Sequence, residues 1–484
     1  MQLIIDNHKH RYEIENIARM FFHDHKFKVD FDVDPSEKNY IISGIRKDNL
    51  AYAVVNIDRR ANYVQDEIPK NATDDELEWL LCTLMYKALC NVSGKTQPWG
   101  MLTGVRPTRL VHRMLDSGES IENIRNKFIN DYKINDEKFR LLYQSASCER
   151  EIIKSSNEND FSLYISIPFC PSRCNYCSFV SQSVEKMDEL IAPYIQKLIQ
   201  EIKDAAKIVN KLNLNLKTVY IGGGTPTTLS ANELLKLMSA VKENFNLNSV
   251  IEYTVEAGRA DTITKEKLEV IKSLGADRIS INPQTFNDDV LARIGRKHTA
   301  QQVLDAYKMA NEVGFKCINM DLIAGLEGDS VDSFMSSLQT AISLEPQNIT
   351  VHTLTVKRAA DLSENFEEVF KKGENSVDTM VSACPQTLAL SGYHPYYMYR
   401  QKGTLSNLEN VGYSKEGFDG YYNVFIMDEI HSIIALGAGG VTKLVHPKTK
   451  EIKRIYNYKF PIEYIRDFEN IINRKQEVIE FYEK

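Results

Sequence analysis

Three cysteines stand within eight residues of one another. Cys170, Cys174 and Cys177 have the spacing C-x3-C-x2-C in the stretch Tyr164-Ile165-Ser166-Ile167-Pro168-Phe169-Cys170-Pro171-Ser172-Arg173-Cys174-Asn175-Tyr176-Cys177. Three thiolates on one short loop can each take one iron of a cubane, which leaves the fourth iron without a protein ligand, unlike four-Cys electron-transfer clusters. An open iron can bind a small molecule directly. The rival reading is zinc held by three Cys and a distant fourth ligand, but structural zinc usually pairs two knuckles and no second one is visible. The other five cysteines, Cys82, Cys90, Cys148, Cys317 and Cys384, are scattered in apolar or helical contexts and read as buried thiols. Eight cysteines in 484 residues do not make a disulfide scaffold.

S-adenosylmethionine (SAM) can chelate an open iron through its amino and carboxylate groups. Electron transfer into its sulfonium then gives methionine and a 5′-deoxyadenosyl radical, chemistry that belongs to the cofactors while the protein orients them and excludes water. Phe169, Tyr176 and Phe179 offer an apolar surround. A second motif, Gly222-Gly223-Gly224-Thr225-Pro226, ends an apolar strand-like run. Glycines there permit positive φ and close backbone approach to a ligand. It is neither a P-loop nor a G-x-G-x-x-G turn.

These motifs need a scaffold. From Phe161 onward, strand-like runs alternate with amphipathic helical stretches. The strand candidates are Leu163 to Ile167, Thr218 to Ile221, Ile251 to Val255, Arg278 to Ile281, Cys317 to Ile323 and Asn348 to Thr353, with helices such as Glu185 to Val209 and Asn232 to Asn244 between them. Such alternation predicts α/β architecture with a parallel sheet. Six units make an open, partial β/α barrel, whose site lies at the C-terminal ends of the strands. Most of the motifs fall at such ends.

Before it lies an α+β unit with strands at Tyr40 to Ile45 and Ala51 to Ile57 and a helix from Asp74 to Cys90. Arg106, Arg109 and Arg113 share a face if a helix begins at Pro107, either as a solvated basic face or as a patch for an anionic ligand or redox partner. The polar stretch Glu149 to Asp160 reads as a linker. The expected domains are residues 1–155, the barrel at 161–360 and a C-terminal mixed, substrate-covering region at 361–484. A net charge of −7 argues against nucleic acid as a partner. No run of eighteen apolar residues suggests a membrane span. Asp6 and His8 come too early for a secretory leader, so a cytoplasmic address is expected.

The cysteine loop and the glycine turn resemble those of the radical SAM family, and more narrowly the oxygen-independent coproporphyrinogen III oxidases. Further positions match in order: Glu256 at the end of the third strand, Gln284 in Asn282-Pro283-Gln284-Thr285, Arg296 in Gly295-Arg296-Lys297-His298, and Asp321 in Met320-Asp321-Leu322. The resemblance implies that Cys170, Cys174 and Cys177 ligate a [4Fe–4S] cluster. It also implies that these four residues, with Tyr164, Gly223, Gly224 and Thr225, form the SAM pocket. Carboxylates suit the ribose hydroxyls and ammonium, and an arginine suits the carboxylate. It runs from about Phe161 to Lys443, and Thr103-Gly104-Val105-Arg106-Pro107-Thr108-Arg109 and Glu409-Asn410-Val411-Gly412-Tyr413 match the branch with a long N-terminal extension, the coproporphyrinogen dehydrogenases.

Ser166 stands where the family has His, Glu327 where Pro is usual, and no loop for a second SAM is present. Haem-chaperone relatives carry a His-Asn-x-x-Tyr-Trp segment where this chain reads Tyr422-Asn423-Val424-Phe425-Ile426-Met427. The resemblance implies oxidative decarboxylation of two propionates of coproporphyrinogen III to vinyls in haem synthesis. Hydrogen is abstracted from the propionate β-carbon, CO2 leaves, and an external acceptor takes an electron. The expected partners are this tetrapyrrole and a low-potential flavodoxin- or ferredoxin-like donor. Lys357, Arg358, Arg400 and Lys402 are candidate cations for the propionates, since paired carboxylates suit arginine. A haem-binding chaperone and an enzyme acting on another tetrapyrrole share the same scaffold.

Overall fold

The computed structural model describes residues 1–22, 27–30, 38–179, 182–183, 187–355, 366–401 and 404–483. These form two compact units, one of residues 1–142, 366–372 and 400–408, the other of residues 143–365, 373–399 and 409–484.

The first unit is built on a five-stranded sheet. Its strands are β1 (Gln2–Asp6), β2 (Lys28–Asp30), β3 (Tyr40–Ile45), β4 (Leu50–Ile57) and β5 (Arg60–Glu67), in the order β2-β1-β3-β4-β5. Along β4 every second residue is buried, as expected of a strand with one face on a core. That face packs against the helix Asp74–Ser93, which starts at a Thr73/Glu76 capping box and stops where Gly94 turns left-handed. The edge strand β5 is mostly exposed and polar, so its pattern carried no strand signal.

The second unit is the barrel. After β6 (Asp160–Ile167), a two-residue pair, β7 (Phe169–Cys170) with β8 (Gln182–Ser183), brackets the cysteine loop. Then follow β9 (Asn215–Gly223), β10 (Glu252–Glu256), β11 (Arg278–Ser280), β12 (Cys317–Ala324) and β13 (Asn348–Thr353). From β6 to β13 the six large strands lie side by side in sequence order, all parallel, with helices such as Ile191–Lys211 and Ala231–Asn244 as crossovers. This is the partial β/α barrel expected from the alternation.

The C-terminal region is not a separate body. β14 (His394–Arg400) and β15 (Glu409–Ser414) extend the sheet beyond β13, where β15 pairs antiparallel. On the other flank β16 (Ser432–Leu436) pairs parallel with β6 and carries β17 (Val441–Val445) and β18 (Ile452–Tyr456) as a meander. Open edges of a barrel sheet expose unpaired backbone groups, and these strands satisfy them. The reading of residues 361–484 as one domain therefore gives way to two sheet extensions, with residues 400–408 in the first unit. The linker is corrected too, because the helix Asp136–Lys154 runs through the first half of Glu149 to Asp160. The helix near Pro107 is Thr108–Asp116, so Arg106 precedes it and only Arg109 and Arg113 lie on it. No helix among the described residues is long and apolar enough to cross a membrane.

Candidate active site

Strand β6 ends at Ile167 and delivers the cysteine loop to the C-terminal rim of the barrel. The loop is tied down residue by residue. Ser172 donates to the Gly295 carbonyl at 2.8 Å, and the Asn175 N–H donates to the Ile294 carbonyl at 3.1 Å. Buried Arg259 grips the Ser172 hydroxyl at 3.1 Å through both terminal nitrogens while pairing with Asp261 at 3.0 Å. No disulfide joins the three cysteines. They do not converge on one point either. Among the described residues, the Cys/His/Asp/Glu groups whose ligand atoms lie within 4.8 Å of one another do not include them. A single tetrahedral ion needs such convergence, since bonds of about 2.3 Å put its sulfurs about 3.8 Å apart. A cubane, with one thiolate per corner, does not need it.

The glycine turn packs directly onto this loop. The Gly224 N–H donates to the Ile167 carbonyl at 2.8 Å and the Thr225 N–H to the Phe169 carbonyl at 2.7 Å. A Cβ on Gly224 would lie 2.6 Å from the Phe169 carbonyl oxygen and 3.0 Å from Cys170 Sγ. Gly223 holds φ +112°, open to glycine alone at little cost. A Cβ on Gly222 would lie 3.0 Å from the Glu256 carboxyl carbon. The first close approach these glycines permit is thus that of the protein's own cysteine loop and Glu256.

Glu256 closes β10 and accepts hydrogen bonds from the Tyr220 hydroxyl, at 2.5 Å, and from the Gly223 N–H. Its pKa is pushed up to about 7, chiefly by burial and also by the charge of Asp321, while the two hydrogen bonds and His352 offset part of the rise. Below it lies an aromatic tier. Tyr164 and Tyr220 face each other across β6 and β9 with centroids 6.2 Å apart, and Tyr422 stacks on Tyr220 at 4.5 Å. Three rings close the floor against water and leave the carboxyl poorly solvated.

Asp321, on β12, accepts from Asn319 at 2.8 Å and lies 3.8 Å from His352 of β13. Burial pushes its pKa up, but the His352 and Asn319 contacts outweigh that and hold it below the ordinary carboxylate value. Gln284 sits at φ +67°, a region costly for a residue with a Cβ. Its N–H donates to the Asp321 carbonyl and its carbonyl accepts from Ile323, so the strain aims its side chain from an extension of the sheet. The Gln284 Oε1 is buried with no hydrogen-bond partner. Arg296 donates to the carbonyls of Asn282 at 2.6 Å and Gly258 at 3.0 Å and to the Tyr176 hydroxyl at 3.3 Å, while its Nε is buried without a partner. It therefore links the cysteine loop to the ends of β10 and β11. Orphaned buried polar atoms on a sheet-end rim are what a polar ligand would satisfy.

The positions drawn from the sequence thus gather on one rim, except the substrate cations. Arg400 is 6 % exposed, and its guanidinium donates to the carbonyls of Leu102 and Asn407 and lies 5.2 Å over the Trp99 ring. It is a structural clamp of the first unit, because main-chain acceptors take the donors a propionate would need. Lys357, Arg358 and Lys402 lie outside the described residues. Ser166, in the family's His position, donates to the Ala438 carbonyl at 2.7 Å, and its own carbonyl accepts from Tyr194 at 2.8 Å. Sequence reasoning missed Tyr220, Arg259 and His352. Tyr220 was within reach, since it lies two residues before Gly222 and so shares its face of β9; the other two carry no local signal.

The radical SAM superfamily model matches residues 164–341. The oxygen-independent coproporphyrinogen-III oxidase-like protein HemZ of Bacillus subtilis is 38% identical over 391 residues, covering 80% of this chain and 78% of that protein. The heme chaperone HemW of Haemophilus influenzae is 31% identical over 316 residues, covering 63% of this chain and 76% of that one. A solved structure, the coproporphyrinogen III oxidase of Escherichia coli, aligns with a TM-score of 0.49 at 19% identity, covering 67% of this chain and 72% of that chain. The superfamily's cofactors are a [4Fe–4S] cluster and SAM, and the rim described above brings together three thiols and unpartnered polar atoms of Gln284 and Arg296 that such groups could engage. By the superfamily match and the identity with HemZ, the chain belongs to the radical SAM superfamily and, within it, to the family of oxygen-independent coproporphyrinogen-III oxidase-like proteins.

Proposed function

We propose that this chain catalyses the oxidative decarboxylation of two propionates of coproporphyrinogen III to vinyl groups, giving protoporphyrinogen IX. The observation that carries the reading is the 38% identity with a coproporphyrinogen-III oxidase-like protein over 80% of the chain, together with a rim that fits the superfamily's cofactors. When bound, the cluster and SAM supply a radical able to remove hydrogen from an unactivated carbon.

The protein's own part is holding and shielding. Cys170, Cys174 and Cys177 would hold the cluster, on a loop whose position Arg259, Ser172 and Arg296 fix. Glu256, Gln284, Arg296 and Asp321 would hold SAM, with Tyr164, Gly223, Gly224 and Thr225 lining its seat. Gln284 Oε1 is an acceptor and Arg296 Nε a donor left open for it. Glu256 and Asp321 divide the electrostatic work, since one is shifted toward neutrality and the other toward charge. The tyrosine tier excludes water from beneath the reacting groups. A low-potential flavodoxin- or ferredoxin-like protein would deliver the electron.

A haem chaperone is the second reading, supported by the 31% identity with HemW. The test is an anaerobic incubation of reconstituted protein with SAM, a low-potential reductant and coproporphyrinogen III, beside a haem titration. Protoporphyrinogen formation supports the enzyme. Tight haem binding with no decarboxylation under any reductant supports the chaperone, and opening or methylation of a haem macrocycle would place the substrate elsewhere among tetrapyrroles.

A further inference from the structure

Outside the cysteine loop, three metal-ligating side chains of the barrel unit meet. Cys148 lies on the helix Asp136–Lys154, His394 begins β14, and Asp419 lies in the turn after β15. Their ligand atoms all fall within 4.8 Å of one another. His394 Nε2 is 2.9 Å from Asp419 Oδ1, and Cys148 Sγ is 3.2 Å from Asp419 Oδ2. His394 and Cys148 thus approach different oxygens of the carboxylate, and the Ser414 side chain is a third neighbour of it.

The surroundings hold the backbone that carries these groups in place. Buried Arg278 donates to the carbonyls of Phe418 at 2.7 Å and Asp419 at 3.1 Å, which fixes the turn that presents the carboxylate. Glu149, next to Cys148, accepts the Met398 N–H at 3.1 Å and ties the helix to β14. His394 is 39% exposed and Asp419 22% at the side chain, so an ion has a path from solvent. A hydrogen-bonded trio alone is a weak use of these groups, because a thiol is a poor donor. One thiolate, one imidazole and one carboxylate, with a fourth position open to water, is a ligand set zinc accepts, and the separations of about 3.3–3.8 Å that bonds of about 2.0–2.3 Å require lie within the 4.8 Å span of the three groups.

We propose that Cys148, His394 and Asp419 form a Zn2+-binding site that pins this helix to β14 and to the turn after β15. Binding replaces the thiol proton, which leaves to solvent, with a Zn–S bond. The site is independent of the cluster and of the reaction proposed for the rim.

The test uses the cluster-loaded protein, equilibrated with micromolar free Zn2+ under anaerobic conditions and then desalted. Metal analysis should find about one zinc per chain beside the cluster iron, and zinc-edge X-ray absorption should show a single sulfur ligand at about 2.3 Å. Cys148→Ser and Asp419→Asn should each lose the zinc while keeping the iron. Should those variants fold poorly, the wild-type protein carries the test alone: Zn2+ should slow alkylation of Cys148, followed by peptide mass spectrometry, by about tenfold or more. Absence of zinc from wild type, zinc retained in both variants, or alkylation unaffected by Zn2+ would each overturn the site.

Discussion

Glu256→Gln should make the SAM-free protein more stable at alkaline pH while weakening its hold on SAM. The carboxyl is folded into a place that favours its neutral form, with a pKa near 7 against an ordinary 4.5, mainly because of burial. A raised carboxyl costs nothing below the unfolded value, and its cost grows as pH rises toward the folded one and is complete above it. The full gap corresponds to about 3 kcal/mol. Between pH 5.5 and 8.5 the part that changes is about 2 kcal/mol, since some cost is already present at pH 5.5. Glutamine keeps the shape and carries no charge. The difference in urea unfolding free energy between variant and wild type should therefore shift in favour of the variant by about 2 kcal/mol across that range. Measuring the same difference at both pH values cancels most of what the cluster contributes. SAM affinity of the variant should fall, because one charge-assisted hydrogen bond is worth about 1.5–3 kcal/mol. A variant-minus-wild-type difference that does not move with pH would refute the reasoning, and unchanged SAM affinity would remove Glu256 from the pocket.

Other substitutions bear on separate parts of the structure. Gly224→Ala should lower cluster occupancy, read as iron per chain, because its Cβ would press on the Phe169 carbonyl and Cys170 Sγ, whereas Gly104→Ala meets nothing within 4 Å and should leave iron content unchanged. Arg400→Ala should lower stability by about 2–4 kcal/mol through two uncovered carbonyls and a lost cation–π contact, visible as a lower urea midpoint, with SAM affinity intact. Lys475 and Glu201 form a fully buried ion pair at 3.0 Å, so Lys475→Met alone should cost about 3–5 kcal/mol in the same assay, and adding Glu201→Leu should recover part of it.

The barrel was legible because its strands are short apolar runs at regular spacing, and Asn348–Thr353 was found to the residue. The site residues at strand ends were legible by type and order. Nothing local marked Arg259, which meets Ser172 only once the loop has folded over β10. Arg400 misled because a cation among tyrosines reads the same whether it faces a ligand or its own backbone; only the fold shows the Leu102 and Asn407 carbonyls taking its donors. The C-terminal strands were hidden for a related reason. Ser432–Leu436 looks like any apolar run, and its partner, β6, lies more than two hundred and fifty residues earlier. The helix through residue 154 escaped because its last turns are charged, and a polar helix end resembles a linker.

The most direct measurement follows coproporphyrinogen III labelled at its propionate carboxylates, with SAM and a low-potential reductant, in the wild type and in Cys170→Ala. Labelled CO2 and 5′-deoxyadenosine should appear together in equal amounts in the wild type, and neither should appear in the variant. Release of 5′-deoxyadenosine with no labelled CO2 from the wild type would contradict the decarboxylation, and undiminished 5′-deoxyadenosine from Cys170→Ala would contradict the assignment of the loop.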